Sequence, residues 1–178
     1  MKWGLWIIIS TSVDLTEQII SMSTVEAKRL WNAFVKDAHN LLPKLAPQIF
    51  SRITLLQGDG GVGTIRQINF TMGNKNFRYV VERVEEMDEE KFVYCYSHVE
   101  GGVLGKKLAS AKYEFKFRPE GDGGDGGDGG CICSCVFHYE SLPGVQQDQG
   151  KVQQIKNMST ALFNKIEAYL LANPALYC

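Results

Sequence analysis

The thiols of Cys131, Cys133 and Cys135 recur at every second position, so on a strand all three project from one face. Such a row could ligate a soft metal or be oxidised. Neighbouring Cα atoms at that spacing lie about 6.6 Å apart with parallel side chains, at the limit of disulfide geometry. Zinc wants four ligands converging from two segments; no second Cys/His pair stands at metal spacing, and His138 falls on the opposite face. The thiols are therefore expected to be small buried hydrophobes, with no metal and no cofactor. Five cysteines without a disulfide pattern point to a reducing compartment.

The run Gly58, Asp59, Gly60, Gly61, Val62, Gly63, Thr64 suggests phosphate binding. It lacks the Gly-Lys-Ser/Thr ending of a phosphate-binding loop and joins two predicted strands rather than opening a helix. No helix dipole is then available to an anion. Two readings remain, a nest of backbone amides and a tight structural turn, and the turn is the simpler. A longer glycine–aspartate tract, Gly121 to Gly130, fits no calcium repeat and reads as an expanded hairpin loop.

A third group is aromatic with polar tips: Tyr79, Tyr94, Tyr96 and Tyr113. Placed inward, their hydroxyls need partners, and a solvated cavity supplies them. Met158 adds an adaptable apolar surface opposite. Apolar walls with a few polar groups are the make-up of a small-molecule pocket, although a packed core would use the same aromatics.

The elements that must position these residues follow from periodicity. Alternation predicts strands over Val13–Ile20, Ile49–Gln57, Thr64–Met72, Phe77–Met87, Lys91–Glu100, Lys107–Phe117 and Cys131–Glu140, joined mostly by short turns as antiparallel hairpins. Arg66, Ile68 and Phe70 share one face, as do Phe77, Tyr79 and Val81. Ser23-Thr24-Val25-Glu26 reads as a capping box opening a short helix, and Asp37–Leu42 as a second one stopped by Pro43 and Pro47. The pattern of Val152, Ile155, Met158, Ser159, Leu162, Ile166, Tyr169 and Leu170 predicts a helix from Gln147 to Ala172, nearly 40 Å long, that crosses the whole domain. A meandering sheet facing one long helix is an α+β arrangement.

At 178 residues the chain suits one domain. Its 44% hydrophobic and 22% charged residues exclude disordered, collagenous and coiled-coil classes. A formal net charge of −1 gives no basic excess for nucleic acid, so RNA is not an expected partner. No apolar run reaches the ~18 residues of a membrane span. Residues Met1 to Ser12 read as an N-terminal extension rather than a signal peptide, ahead of a single domain from 13 to 178.

The stretch Gly58 to Arg66 resembles the glycine loop of the Bet v 1 family, the plant class-10 pathogenesis-related proteins named for the major birch pollen allergen. Asp37 to Lys44, Tyr94 to Gly102 and Glu167 to Pro174 match the family in order and spacing. The resemblance implies a helix-grip fold: a seven-stranded antiparallel sheet curved around a long C-terminal helix, with two short helices in a V. It also implies a monomeric, cytoplasmic protein, in the nucleus as well, that carries flavonoids, cytokinins, sterols or other amphiphilic small molecules in defence. The pocket positions it implies are Phe34, Leu42, Phe70, Phe77, Tyr79, Tyr94, Tyr96, Phe115, Ile155, Met158, Ser159, Leu162 and Ile166.

Family members are also described as ribonucleases. Of the residues proposed for that activity, the resemblance implies Arg66, Glu167 and Tyr169, while a second glutamate position carries Ala109. Arginine is a poor proton donor, and general acid–base hydrolysis needs two partners, so catalysis is the lesser expectation. A related branch senses abscisic acid, but its Ser-Gly-Leu-Pro-Ala gate and His-Arg-Leu latch are absent.

Overall fold

The computed structural model describes residues 14–71, 78–120, 129–146 and 148–178. The expected N-terminal extension, Phe77, Gln147 and most of the glycine–aspartate tract lie outside the described residues. Seven strands form one sheet: β1 (Asp14–Ser23), β2 (Phe50–Gln57), β3 (Ile65–Phe70), β4 (Tyr79–Asp88), β5 (Val93–Gly101), β6 (Leu108–Pro119) and β7 (Cys131–Ser141). Their spatial order is β1-β7-β6-β5-β4-β3-β2, and each neighbouring pair is antiparallel. The helices are α1 (Ala27–Trp31), α2 (Ala38–Leu45) and α3 (Gln149–Ala172), with a π-helical turn, Asn32–Lys36, joining the first two. The fold is the expected helix-grip arrangement. Among the described residues no helix is long and apolar enough to cross a membrane.

The period-two pattern of β7 is the strictest. Cys131, Cys133, Cys135, Phe137 and Tyr139 are all buried on its concave face, while His138 is exposed on the other. The thiols are free, and burial pushes the Cys131 thiol up to about 12, so they behave as small apolar groups.

Two local readings are corrected. Ser23 ends β1 instead of capping α1: its Oγ accepts from the Val25 amide at 3.0 Å, and Glu26 makes no side-chain cap. The pairing of Ser23 with Cys131 holds that residue extended, so the helix opens later. Nor does Pro43 stop α2. Proline removes only the hydrogen bond to the residue four before it, its φ suits a helix, and the Ala46 amide still closes on Leu42 O at 2.9 Å.

Three apolar clusters frame the concave face. Trp31, fully buried, packs with Leu30, Phe117, Cys131, Ile166 and Leu170 where α1 meets the end of α3. Ala46, Phe50, Ile53 and Ile68 fill the space under α2, and Ala111, Cys135, Phe137 and Tyr139 line the sheet centre. Arg29 ties the first cluster shut by donating to Leu170 O (3.0 Å), Asn173 O (3.0 Å) and Leu176 O (3.1 Å) at the end of α3. A cation and hydrogen-bond donor suits a helix C-terminus on both counts.

Candidate functional site

Between the clusters α3 bridges to the sheet at separate points, Ile155 on the sheet-centre cluster, Leu162 on the cluster under α2 and Lys156 on Glu17 of β1, without filling the space between them. A cavity of about 260 Å³ remains there, and a second chamber of about 420 Å³ adjoins it toward the start of α3. Val80, His98, Tyr113, Ile155 and Met158 border both. Drug-sized ligands occupy roughly 300–1,000 Å³, so the adjoining chambers suit one small amphiphile. Lys106, Lys107 and Lys151, with Asp148, stand around the second chamber.

The floor is aromatic because β5 and β6 alternate in register. Tyr96 is the direct partner of Tyr113, and Tyr94 that of Phe115. The Tyr96 and Tyr113 rings stack at 4.8 Å, His98 lies 4.8 Å from Tyr113, and Tyr139 donates to the Tyr113 hydroxyl at 3.4 Å. Burial raises the phenols of Tyr94, Tyr96 and Tyr113 and lowers His98 to about 4, so all are neutral at pH 7.

Ten of the expected pocket residues line the first cavity. The sheet and the short helices supply Phe34, Leu42, Phe70, Tyr94, Tyr96 and Phe115, and α3 supplies Ile155, Met158, Ser159 and Leu162. Two do not. Tyr79 is on the convex face, where its hydroxyl donates to Glu100 at 2.6 Å, because Val80, Glu82 and Val84 take the inward positions of β4. Ile166 is fully buried in the solid cluster with Trp31 and Leu170, beyond the end of the cavity.

The main polar feature of the cavity joins the expected Arg66 to Glu82, a residue the sequence pattern does not single out. Arg66 and Glu82 face each other on β3 and β4, and the guanidinium Nε donates to the carboxylate. Their side chains retain 14% and 5% exposure, and the guanidinium carbon lies 5.6 Å from the Tyr94 ring and 5.9 Å from that of Tyr96. Burial works against the Arg66 charge, but Glu82 and Tyr94 outweigh it; burial pushes the Glu82 carboxyl up, with Arg66 opposing. The signal for Glu82 lies in strand pairing, not in its own strand's pattern. His98 could have been found by continuing the alternation Tyr94, Tyr96, His98 along β5.

The residues of the hydrolytic reading are divided. Arg66 lines the cavity, whereas Glu167 and Tyr169 do not. Lys44 donates to the Tyr169 hydroxyl at 3.0 Å, and among the described residues no contact joins that pair to Arg66. The glycine loop is closed on itself: Thr64 Oγ1 accepts from Gly60 N (2.9 Å), Asp59 from Gly61 N (3.0 Å) and Val84 O from Gly63 N (2.8 Å). With the Gly60, Gly61 and Gly63 amides paired within the protein, the geometry favours the turn reading, and Gly63 and Thr64 tie the loop to Val84 of β4.

Residues 14–173 match the model of the pathogenesis-related protein Bet v 1 family. The chain belongs to that family. Among Bet v 1 relatives, the major strawberry allergen Fra a 1-2 of Fragaria ananassa is 38% identical over 156 residues, covering 88% of this chain and 93% of the allergen. The crystal structure of Ara h 8.0201 superposes with a TM-score of 0.75 at 26% identity, covering 90% of this chain and all of that one. Norcoclaurine synthase from Thalictrum flavum, in complex with dopamine and hydroxybenzaldehyde, shares the fold at TM-score 0.69 and 20% identity, over 97% of this chain and 96% of the synthase.

Proposed function

We propose that this Bet v 1 family member binds and carries amphiphilic, largely apolar metabolites of flavonoid, cytokinin or sterol type in defence or stress responses. The observation behind this reading is the gap between α3 and the sheet, walled by aromatic and aliphatic side chains around a few polar groups. A fold neighbour holding dopamine and hydroxybenzaldehyde gives an example of small aromatic molecules on this scaffold. Five free cysteines, four of them buried, favour a reducing compartment such as the cytoplasm. A ribonuclease reading draws less support, since Arg66 is engaged with Glu82 and Tyr169 with Lys44.

The test is uptake of the neutral fluorophore N-phenyl-1-naphthylamine by the full chain. Saturable binding, displaced by flavonoids or cytokinins and weakened in Ser159→Trp, is the expected result. Failure of the folded protein to bind it would remove the reading.

A further inference from the structure

Arg66 is an unusual residue to find in this cavity, because a guanidinium carries five N–H donors. Among the described residues only one of its hydrogen bonds has a protein acceptor, from Nε to Glu82. Its two terminal amino groups have none, although Arg66 lines the cavity and is 14% exposed. Close by, the Tyr94 hydroxyl is buried and has no hydrogen-bond partner among the described residues. A buried hydroxyl left unpaired, as that of Tyr94 is, costs free energy, and a planar two-oxygen acceptor matches the edge of a guanidinium that opens on the cavity.

We propose that the cavity selects amphiphiles bearing a carboxylate, held by the terminal amino groups of Arg66, and that seating this anion transfers a proton from solvent to Glu82. The proposal rests on the binding function above and names its ligand class. One guanidinium cannot balance two buried carboxylates, so one of them must be neutral. The pair is asymmetric in this respect. Glu82 can take up a proton, and its burial already favours that form, whereas Arg66 cannot release one. An anion can thus be accommodated by neutralising Glu82; a cation has no equivalent route. The other titratable groups facing the pair are Tyr94, Tyr96 and His98 on β5, Tyr113 on β6, and Cys133 and Cys135 on β7. Burial holds each of them neutral near pH 7; β1, β2 and the three helices add no titratable group to the lining of the first cavity, while Lys106, Lys107, Lys151 and Asp148 stand around the adjoining chamber.

The experiment compares 9-anthracenecarboxylate with 9-anthracenemethanol, by fluorescence titration and by calorimetry in buffers of different ionisation heat. The carboxylate should bind with uptake of roughly one proton, so that its affinity falls about tenfold per pH unit relative to the alcohol, which takes up none. Arg66→Gln should weaken the carboxylate by about tenfold or more and the alcohol by no more than about threefold. Glu82→Gln should bind the carboxylate without proton uptake. Should either variant fail to fold, the proton count of the wild-type protein decides alone. Equal proton counts for the two probes, or equal losses in Arg66→Gln, overturn the proposal while leaving the binding function standing. Binding of neither probe by folded protein removes the binding function itself.

Discussion

Arg66 and Glu82 are direct partners across β3 and β4, and they meet inside the cavity rather than on the convex surface. A charged pair on that face is costly unless each partner keeps the other.

Removing one member is therefore expected to be worse than removing both. Arg66→Met should lower stability by about 3–5 kcal/mol, because Glu82 is left buried and unpaired, and Arg66→Met with Glu82→Leu should recover most of the loss. Urea denaturation of the two variants makes the comparison; equal losses would contradict the pairing.

Gly58 has φ +91°, and a Cβ there would lie 2.6 Å from Thr64 Oγ1 and 2.8 Å from Thr64 Cα. Gly58→Ala combines left-handed strain with a backbone clash and should cost about 2–4 kcal/mol. Gly60→Ala meets no atom within 4 Å and pays only for its φ of +107°, so it should cost less. Thermal melts of the pair separate the two effects.

Arg29→Leu should lower stability by about 1–3 kcal/mol, since three carbonyls at the end of α3 lose their donor together. Hydrogen exchange should rise first in the last turn of α3.

His98 is lowered to about 4 by burial alone, against 6.5 when exposed. Between those values the unfolded chain binds the extra proton, so stability rises with pH from about 4 to 6.5 and is lost on acidification. The full shift corresponds to about 3 kcal/mol. His98→Gln should flatten this part of the stability–pH curve, and an unchanged slope would show that the ring is not buried neutral.

Much of this arrangement was legible in the chain. Alternation put Arg66, Ile68 and Phe70 on one face, because that strand buries one side and wets the other, and the family resemblance implied Tyr94, Tyr96 and Phe115 as pocket positions. β4 defeated the same logic. Glu82 looks like a solvent-facing residue, which forces Tyr79 inward; the pairing with Arg66 reverses the parity, and that partner lies sixteen positions away in sequence. Bulges between Val81 and Glu82, and between Val84 and Glu86, blur the alternation further. The inward limit of the pocket was equally hidden: Ile166 repeats with Ile155 and Leu162, but only packing shows that Trp31 and Phe117 have filled the space beyond them.

The two ends of α3 therefore live under different conditions. Phe163, Ile166 and Leu170 are locked in close packing and clasped by Arg29, whereas Ile155, Met158 and Ser159 look onto open volume. One continuous helix is thus packed solid along its C-terminal half, while its N-terminal half spans the cavity on the Lys156–Glu17 ion pair and the Ile155 contact. On the proposed binding function, a molecule in the cavity would add packing beneath the half of the helix nearer Asp148, far from the clasp.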